Sequence, residues 1–163
     1  MKSQGNAPDY YSRSGTVGTD GKVMFTADAD VVRENEIVSL IEQRWEVKVH
    51  RFGKLCPIDF YATKHGRMVA VIETKSRSTP STQYPTVFLN VRKWLALGLA
   101  QAGLGSPALF FVRWSDGVVR YIRFNDIDAR KMSMGGCRQL VKSTTDYEPQ
   151  IEIPISSMIQ VSP

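Results

Sequence analysis

The chain has 163 residues, enough for one domain with a real core, and its 42% hydrophobic and 23% charged residues are ordinary for a soluble globular protein. A formal charge of +5 leans moderately toward an anionic partner such as nucleic acid. No apolar run reaches the length of a membrane span, Met1 to Asp20 lacks the apolar core of a signal peptide, and Cys56 and Cys137 form neither a metal-ligand spacing nor a disulfide framework, which predicts a cytoplasmic protein with reduced thiols and no membrane partner.

Residues 1–24 are rich in Gly, Ser and Asp without a sustained period, and they predict a flexible arm ahead of a single domain over 25–163. An amphipathic helix follows in ADADVVRENEIVSLIEQRW. Val31, Ile37, Val38, Ile41 and Trp45 recur at helical spacing, and Asp28 or Asp30 is available as N-cap. Three β-rich segments come next, EVKVHRF, PIDFYAT and RMVAVIETK, with KHGR as the turn that makes the last two a hairpin.

SRSTPSTQYP reads as a loop, and TVFLNVRKWLALGLAQAGLG as a second helix. That helix would have Phe88, Val91, Leu95 and Leu99 on one face, Thr86 as a cap and Gly103 or Gly105 at its end. ALFFVRW and VVRYIRF form two strands around the turn Ser-Asp-Gly, whose Asp116 needs no further explanation. MSMGGCRQLVKS is ambiguous, and IEIPIS reads as an edge strand because Pro154 cannot donate to a ladder. The order is helix, three strands, helix, two strands, with a core over about 28–124 and an extension over 125–163. This is an α/β fold with a mixed sheet covered by helices.

Glu73 and Lys75 point to one face of their strand, because side chains alternate. Asp59, on the other arm of the hairpin, lies opposite Glu73 only with an odd-numbered loop. A two-residue loop puts it opposite Ile72 unless a bulge restores the register. Two facing carboxylates repel unless a cation sits between them or one takes up a proton. Such oxygen ligands suit Mg²⁺ or Mn²⁺, and the Lys two residues on is placed to hold a phosphate oxygen. That combination serves phosphodiester hydrolysis.

In the first helix Glu34 falls on the apolar stripe and Glu36 nearer solvent, so Glu34 is the preferred fourth acid. Alone, a Glu-x-Lys turns up by chance about once in every couple of chains of this length. A strand-end acid is usually solvated, and an acid at a helix margin usually pairs with Arg. The conjunction of helix Glu, Pro-x-Asp strand and Glu-x-Lys strand, in that order, carries more weight.

That conjunction resembles the PD-(D/E)XK nuclease superfamily, and in motif layout the Holliday-junction-resolvase-like and phage-type endonucleases, over residues 28–124. The resemblance implies a restriction-endonuclease-like αβββαβ core. It also implies Asp59 and Glu73 as metal-binding acids, Lys75 as the catalytic lysine, Glu34 as the helix acid and the backbone carbonyl of Thr74 as a further ligand. Pro-Ile-Asp stands where Pro-Asp is commonest, so Pro57 is a loose match.

Arg77, Gln83, Arg92 and Lys93 follow the Glu-x-Lys as candidates for the phosphate backbone. Lys93 leads because helix N-termini also favour anions, although each could equally lie on a solvated face. Tyr84 and Trp94 could stack on bases, Trp94 being more often core. His50 and His65 do not read as metal ligands. No Walker loop, dinucleotide fingerprint, GxSxG elbow or CxxC pair appears, which excludes a nucleotide cofactor and most rival enzyme classes.

The function expected is a Mg²⁺-dependent DNA endonuclease, with Mn²⁺ able to substitute, selective for junctions or acting as a more general nuclease. One centre per chain makes a homodimer or two successive nicks the routes to cutting a duplex. The alternative is a non-catalytic nucleic-acid-binding or protein-interaction module on a nuclease fold, and metal-dependent cleavage separates the two.

Overall fold

The computed structural model describes residues 15–17, 23–25, 28–53, 55–135 and 148–161, with side chains from residue 32 onward. Within the stretch read as an arm, β1 (Gly15–Val17) and β2 (Val23–Phe25) pair as an antiparallel ribbon. Helix α1 (Asp28–Trp45) follows. It buries Ile37 and Ile41 against the sheet, with Val38 and Trp45 packed beside them. No helix among the described residues is long and apolar enough to cross a membrane.

Strands β3 (Lys48–Arg51), β4 (Phe60–Lys64) and β5 (Arg67–Ser76) form an antiparallel meander. After β6 (Thr86–Asn90) and helix α2 (Val91–Leu104), the β7 (Ala108–Arg113) and β8 (Val119–Arg123) hairpin completes the core, with β7 parallel to β5. The tail supplies β9 (Met132–Gly135), β10 (Glu148–Pro154) and β11 (Ile159–Gln160). The main sheet runs β11-β8-β7-β5-β4-β3, and a second sheet runs β6-β10-β9. This is the mixed α/β architecture expected, with an apolar cluster on each face of the main sheet. Ile37, Ile41, Phe60, Ala62, Ala70 and Ile72 belong to the α1 side. Val71, Leu97, Phe110 and Ile151 belong to the other, beside α2 and the small sheet.

The hairpin register is fixed by two features acting together. Lys64 faces Arg67, so the turn is the two residues His65 and Gly66, with φ of 51° and 74°. Both lie in the left-handed region that this kind of tight turn demands, and glycine adopts it without steric cost. Left alone, that turn would set Asp59 against Ile72. Between Ala62 and Thr63 the pairing shifts: Thr63 faces Met68 while Ala62 faces Ala70, leaving Val69 as the extra residue of a bulge. Phe60 therefore faces Ile72, and the next position along the ladder sets Asp59 toward Glu73.

Four readings of the later chain need correction. The segment TVFLN is a strand rather than the first turn of a helix, because Val87 and Leu89 alternate into the core while β10 supplies a full ladder of partners. The α2 cap is Asn90, whose side chain accepts from the Arg92 backbone N–H at 2.7 Å, not Thr86. Gly105 closes the helix at φ 63°. The inward face of α2 centres on Leu97, while Leu95 and Leu99 are 50% and 74% exposed, so the helical phase differs from the expected one.

The IEIPIS strand is not an edge. β10 lies between β6 and β9, and Pro154 is tolerated because the β9 pairing ends at Ile151, leaving no donor needed on that side. Cys137 lies outside the described residues. The corrected α2 phase gives a direct check. Leu97→Ala should cost about 2–5 kcal/mol in urea unfolding, because it leaves a cavity in the core, and Leu99→Ala about 0.5 kcal/mol or less.

Candidate active site

Central strand β5 carries Val71, Glu73 and Lys75 on the face toward α2. Val71 packs in the core with Leu97, and one step further Glu73 is still only 5% exposed. Such burial of a carboxylate requires partners. They come from two neighbouring elements. Asp59, immediately before β4, has its Oδ2 fixed by the backbone N–H of Thr74 at 2.9 Å and the Thr74 hydroxyl at 3.0 Å. Lys93, in the first turn of α2, places its ammonium 2.8 and 3.0 Å from the two Glu73 carboxylate oxygens and 3.4 Å from Asp59 Oδ1. Both acids thus converge on one cation.

The charges perturb one another strongly. Burial, reinforced by the Asp59 charge, pushes Glu73 up to about 8, with Lys93 and Lys75 pulling the other way. Burial and the nearby Arg77 guanidinium bring Lys75 down to about 8, against the pull of Glu73 and Glu148. Burial alone would lower Lys93, but Glu73 and Asp59 together hold its ammonium above the usual range. Perturbed groups gathered in this way mark functional sites more often than structural ones.

Glu34 stands apart from this cluster. Its Oε2 is 2.5 Å from Arg51 Nη2, and Arg51 lies over the ring of Phe60 on the α1 face of the sheet. Phe60 follows Asp59, so Glu34 approaches the same end of the sheet from the opposite face. Glu36 is more exposed and pairs with Arg113 at 2.6 Å. Arg77 is half-buried on the Lys75 side of β5, and Gln83 is exposed, donating to the Tyr84 hydroxyl at 3.1 Å. Arg92 forms an ion pair with Glu148, which also accepts from the Asn90 side chain. Trp94 stacks on Phe124, and His50 stacks on Tyr61 and bonds Thr63, both within the packed structure.

Sequence reasoning missed three roles here. Glu148 ties β10 to the start of α2 and lies near enough to Lys75 to shift it. Lys93 was grouped with phosphate contacts, yet it sits between the acids. Asp116, beyond shaping its turn, accepts from the Ser81 backbone and hydroxyl at 2.8 and 2.7 Å and so pins the loop after Lys75. The Asn-Val-Arg-Lys cap signal at the true start of α2 could have put Lys93 in the first turn of the helix, but nothing local in the sequence links Glu148 to it.

Among the described residues no group of three His, Cys, Asp or Glu side chains is poised to hold a metal. Two carboxylates with a backbone carbonyl and water nevertheless suit Mg²⁺, which keeps several waters and uses one or two protein acids. The donor set fits such an ion, since Asp59 and Glu73 already converge on a positive charge.

The family described as "phage putative PDDEXK endonuclease" matches residues 22–161. No curated protein matches the chain. Among solved structures, the Holliday junction resolvase Hjc of the archaeal hyperthermophile Archaeoglobus fulgidus is similar, with a TM-score of 0.55 and 13% identity over 83% of this chain and 93% of that one. At that identity the likeness speaks for the restriction-endonuclease-like fold.

The raised Glu73 has a consequence for stability. Between 4.5 and about 8 the folded protein holds a proton on Glu73 that the unfolded chain has released, so this contribution to stability declines as pH rises through that window. Glu73→Gln cannot charge. In thermal melts without metal the wild type should lose stability relative to Glu73→Gln as pH rises from 4.5 toward 8. Parallel melting curves for the two proteins across that range would show that Glu73 is not the group described.

Proposed function

The chain belongs to the phage PDDEXK endonuclease family, and from that premise we propose that it is a Mg²⁺-dependent DNA endonuclease centred on Asp59, Glu73 and Lys75. The observation that carries this reading is the convergence of Asp59 and Glu73 on a single cation at the end of a buried strand. Asp59, Glu73 and the Thr74 carbonyl would hold the ion, with Mn²⁺ able to substitute. The bound ion supplies a Lewis acid and positive charge against the scissile phosphate.

Lys75 shares the Glu73 face of β5, and with its pKa near 8 it can hold or release a proton near neutral pH. It orients the attacking water and offsets the negative charge that builds on the phosphate. Glu34 would order that water or hold a second ion once it parts from Arg51. Arg77 and Gln83 would line the approach for the DNA backbone, while Arg92 is held by Glu148 and Lys93 by the two acids. One centre per chain cuts one strand, so a homodimer or two successive nicks would cut a duplex.

The similar archaeal fold belongs to a Holliday junction resolvase. That makes branched DNA the first substrate to test. Four-way-junction, linear duplex and single-stranded DNA are incubated with Mg²⁺, Mn²⁺ or EDTA. Cleavage that requires the metal and disappears in Asp59→Asn supports the reading. Binding without cleavage in every condition would favour the non-catalytic module.

Lys75 separates enzyme from binding module most cleanly. If it acts on charge that develops only during phosphoryl transfer, Lys75→Ala should lower turnover by about a hundred- to a thousandfold and leave DNA affinity nearly unchanged. Weakened binding with normal turnover, and a salt dependence reduced by about one counterion, would make it only a phosphate contact.

A further inference from the structure

We propose that Lys93 is the resident counter-ion of the metal-free site, filling the space between Asp59 and Glu73, and that a divalent ion binds there by expelling its ammonium. This inference rests on the metal reading above and assigns Lys93 a place in it that phosphate contact does not describe.

Lys93 and a divalent ion would compete for particular oxygens. Asp59 Oδ2 already accepts two hydrogen bonds from Thr74, which leaves Oδ1 as the atom facing the site. That Oδ1 is the Asp59 atom Lys93 approaches, and Lys93 also engages both oxygens of Glu73. An ion held jointly by the two acids needs the same atoms, and two cations cannot share them at hydrogen-bond distance without strong repulsion. The ammonium also offsets negative charge on the metal-free pair. Glu73 is 5% exposed and faces another carboxylate, a placement that a nearby positive charge eases.

Lys93 is suited to leaving. Its side chain is a flexible stem carrying a compact charge, and it is 34% exposed, so a path to solvent is open. The backbone stays put, because Asn90 caps the helix and Glu148 grips both Asn90 and Arg92. The expelled ammonium therefore remains tethered beside the centre, on the first turn of a helix whose N-terminus favours anions.

The test measures metal binding without DNA or turnover. Mn²⁺ affinity is determined by titration calorimetry for wild type and Lys93→Met, and acetylation of Lys93 by acetic anhydride is followed by mass spectrometry with and without Mn²⁺. Removing the competitor should tighten Mn²⁺ binding by at least about tenfold. In the wild type, Mn²⁺ should increase the acetylation of Lys93, a readout that survives even if Lys93→Met fails to fold. Unchanged or weaker Mn²⁺ affinity in Lys93→Met overturns the proposal, as does acetylation that Mn²⁺ leaves unaltered. When the wild type binds Mn²⁺ and the variant binds no tighter, only this inference falls. When neither protein binds Mn²⁺, the metal reading itself fails and takes the inference with it.

Discussion

Two carboxylates brought to one point at the end of a central strand are the constraint around which this molecule is arranged. Without a cation they repel, and burial makes the charged form of Glu73 more expensive still. The geometry that creates the problem is deliberate in the chain. A tight His65-Gly66 turn alone would leave Asp59 across from Ile72, and the bulge at Val69 moves the register by one residue to bring it toward Glu73. A bulge breaks ladder pairing locally, so its presence here places the demands of the site above those of the hairpin.

The surrounding elements supply the compensation. Thr74 satisfies the rear oxygen of Asp59, and α2 delivers Lys93 to the front. The start of α2 is in turn held by Asn90 and Arg92 against Glu148, which belongs to β10 in the second sheet. The tail is therefore part of the scaffold of the site: β10 pairs with β6, and β11 pairs with β8 at the edge of the main sheet. A long-range chain of contacts runs from the last strands of the protein to the two acids near its middle.

How much of this the sequence showed depends on how local each determinant is. The β3–β5 meander and the β7–β8 hairpin were legible, because alternating apolar residues and the turns His-Gly and Ser-Asp-Gly specify them within a few residues. The placement of Asp59 toward Glu73, with Lys75 on the same face, was legible for the same reason, along with the condition that a two-residue turn would need a bulge. The start of α2 was not. TVFLN offers apolar residues that fit either period, and only pairing with β10, some 60 residues away, decides for a strand. The phase of α2 went with it, so Leu95 and Leu99 were placed inward when Leu97 is. Lys93 could be picked out as a cation near a helix start, but its seat between the acids is a tertiary fact.

Whether Asp59 and Glu73 together form a metal site is read from anomalous diffraction of crystals grown with Mn²⁺. An anomalous peak is expected in bonding contact with Asp59 Oδ1 and Glu73, with the Lys93 ammonium moved out of the space between them. Crystals equilibrated with Mn²⁺ that show no peak there, and Lys93 still bonded to both carboxylates, would contradict a metal site at this pair.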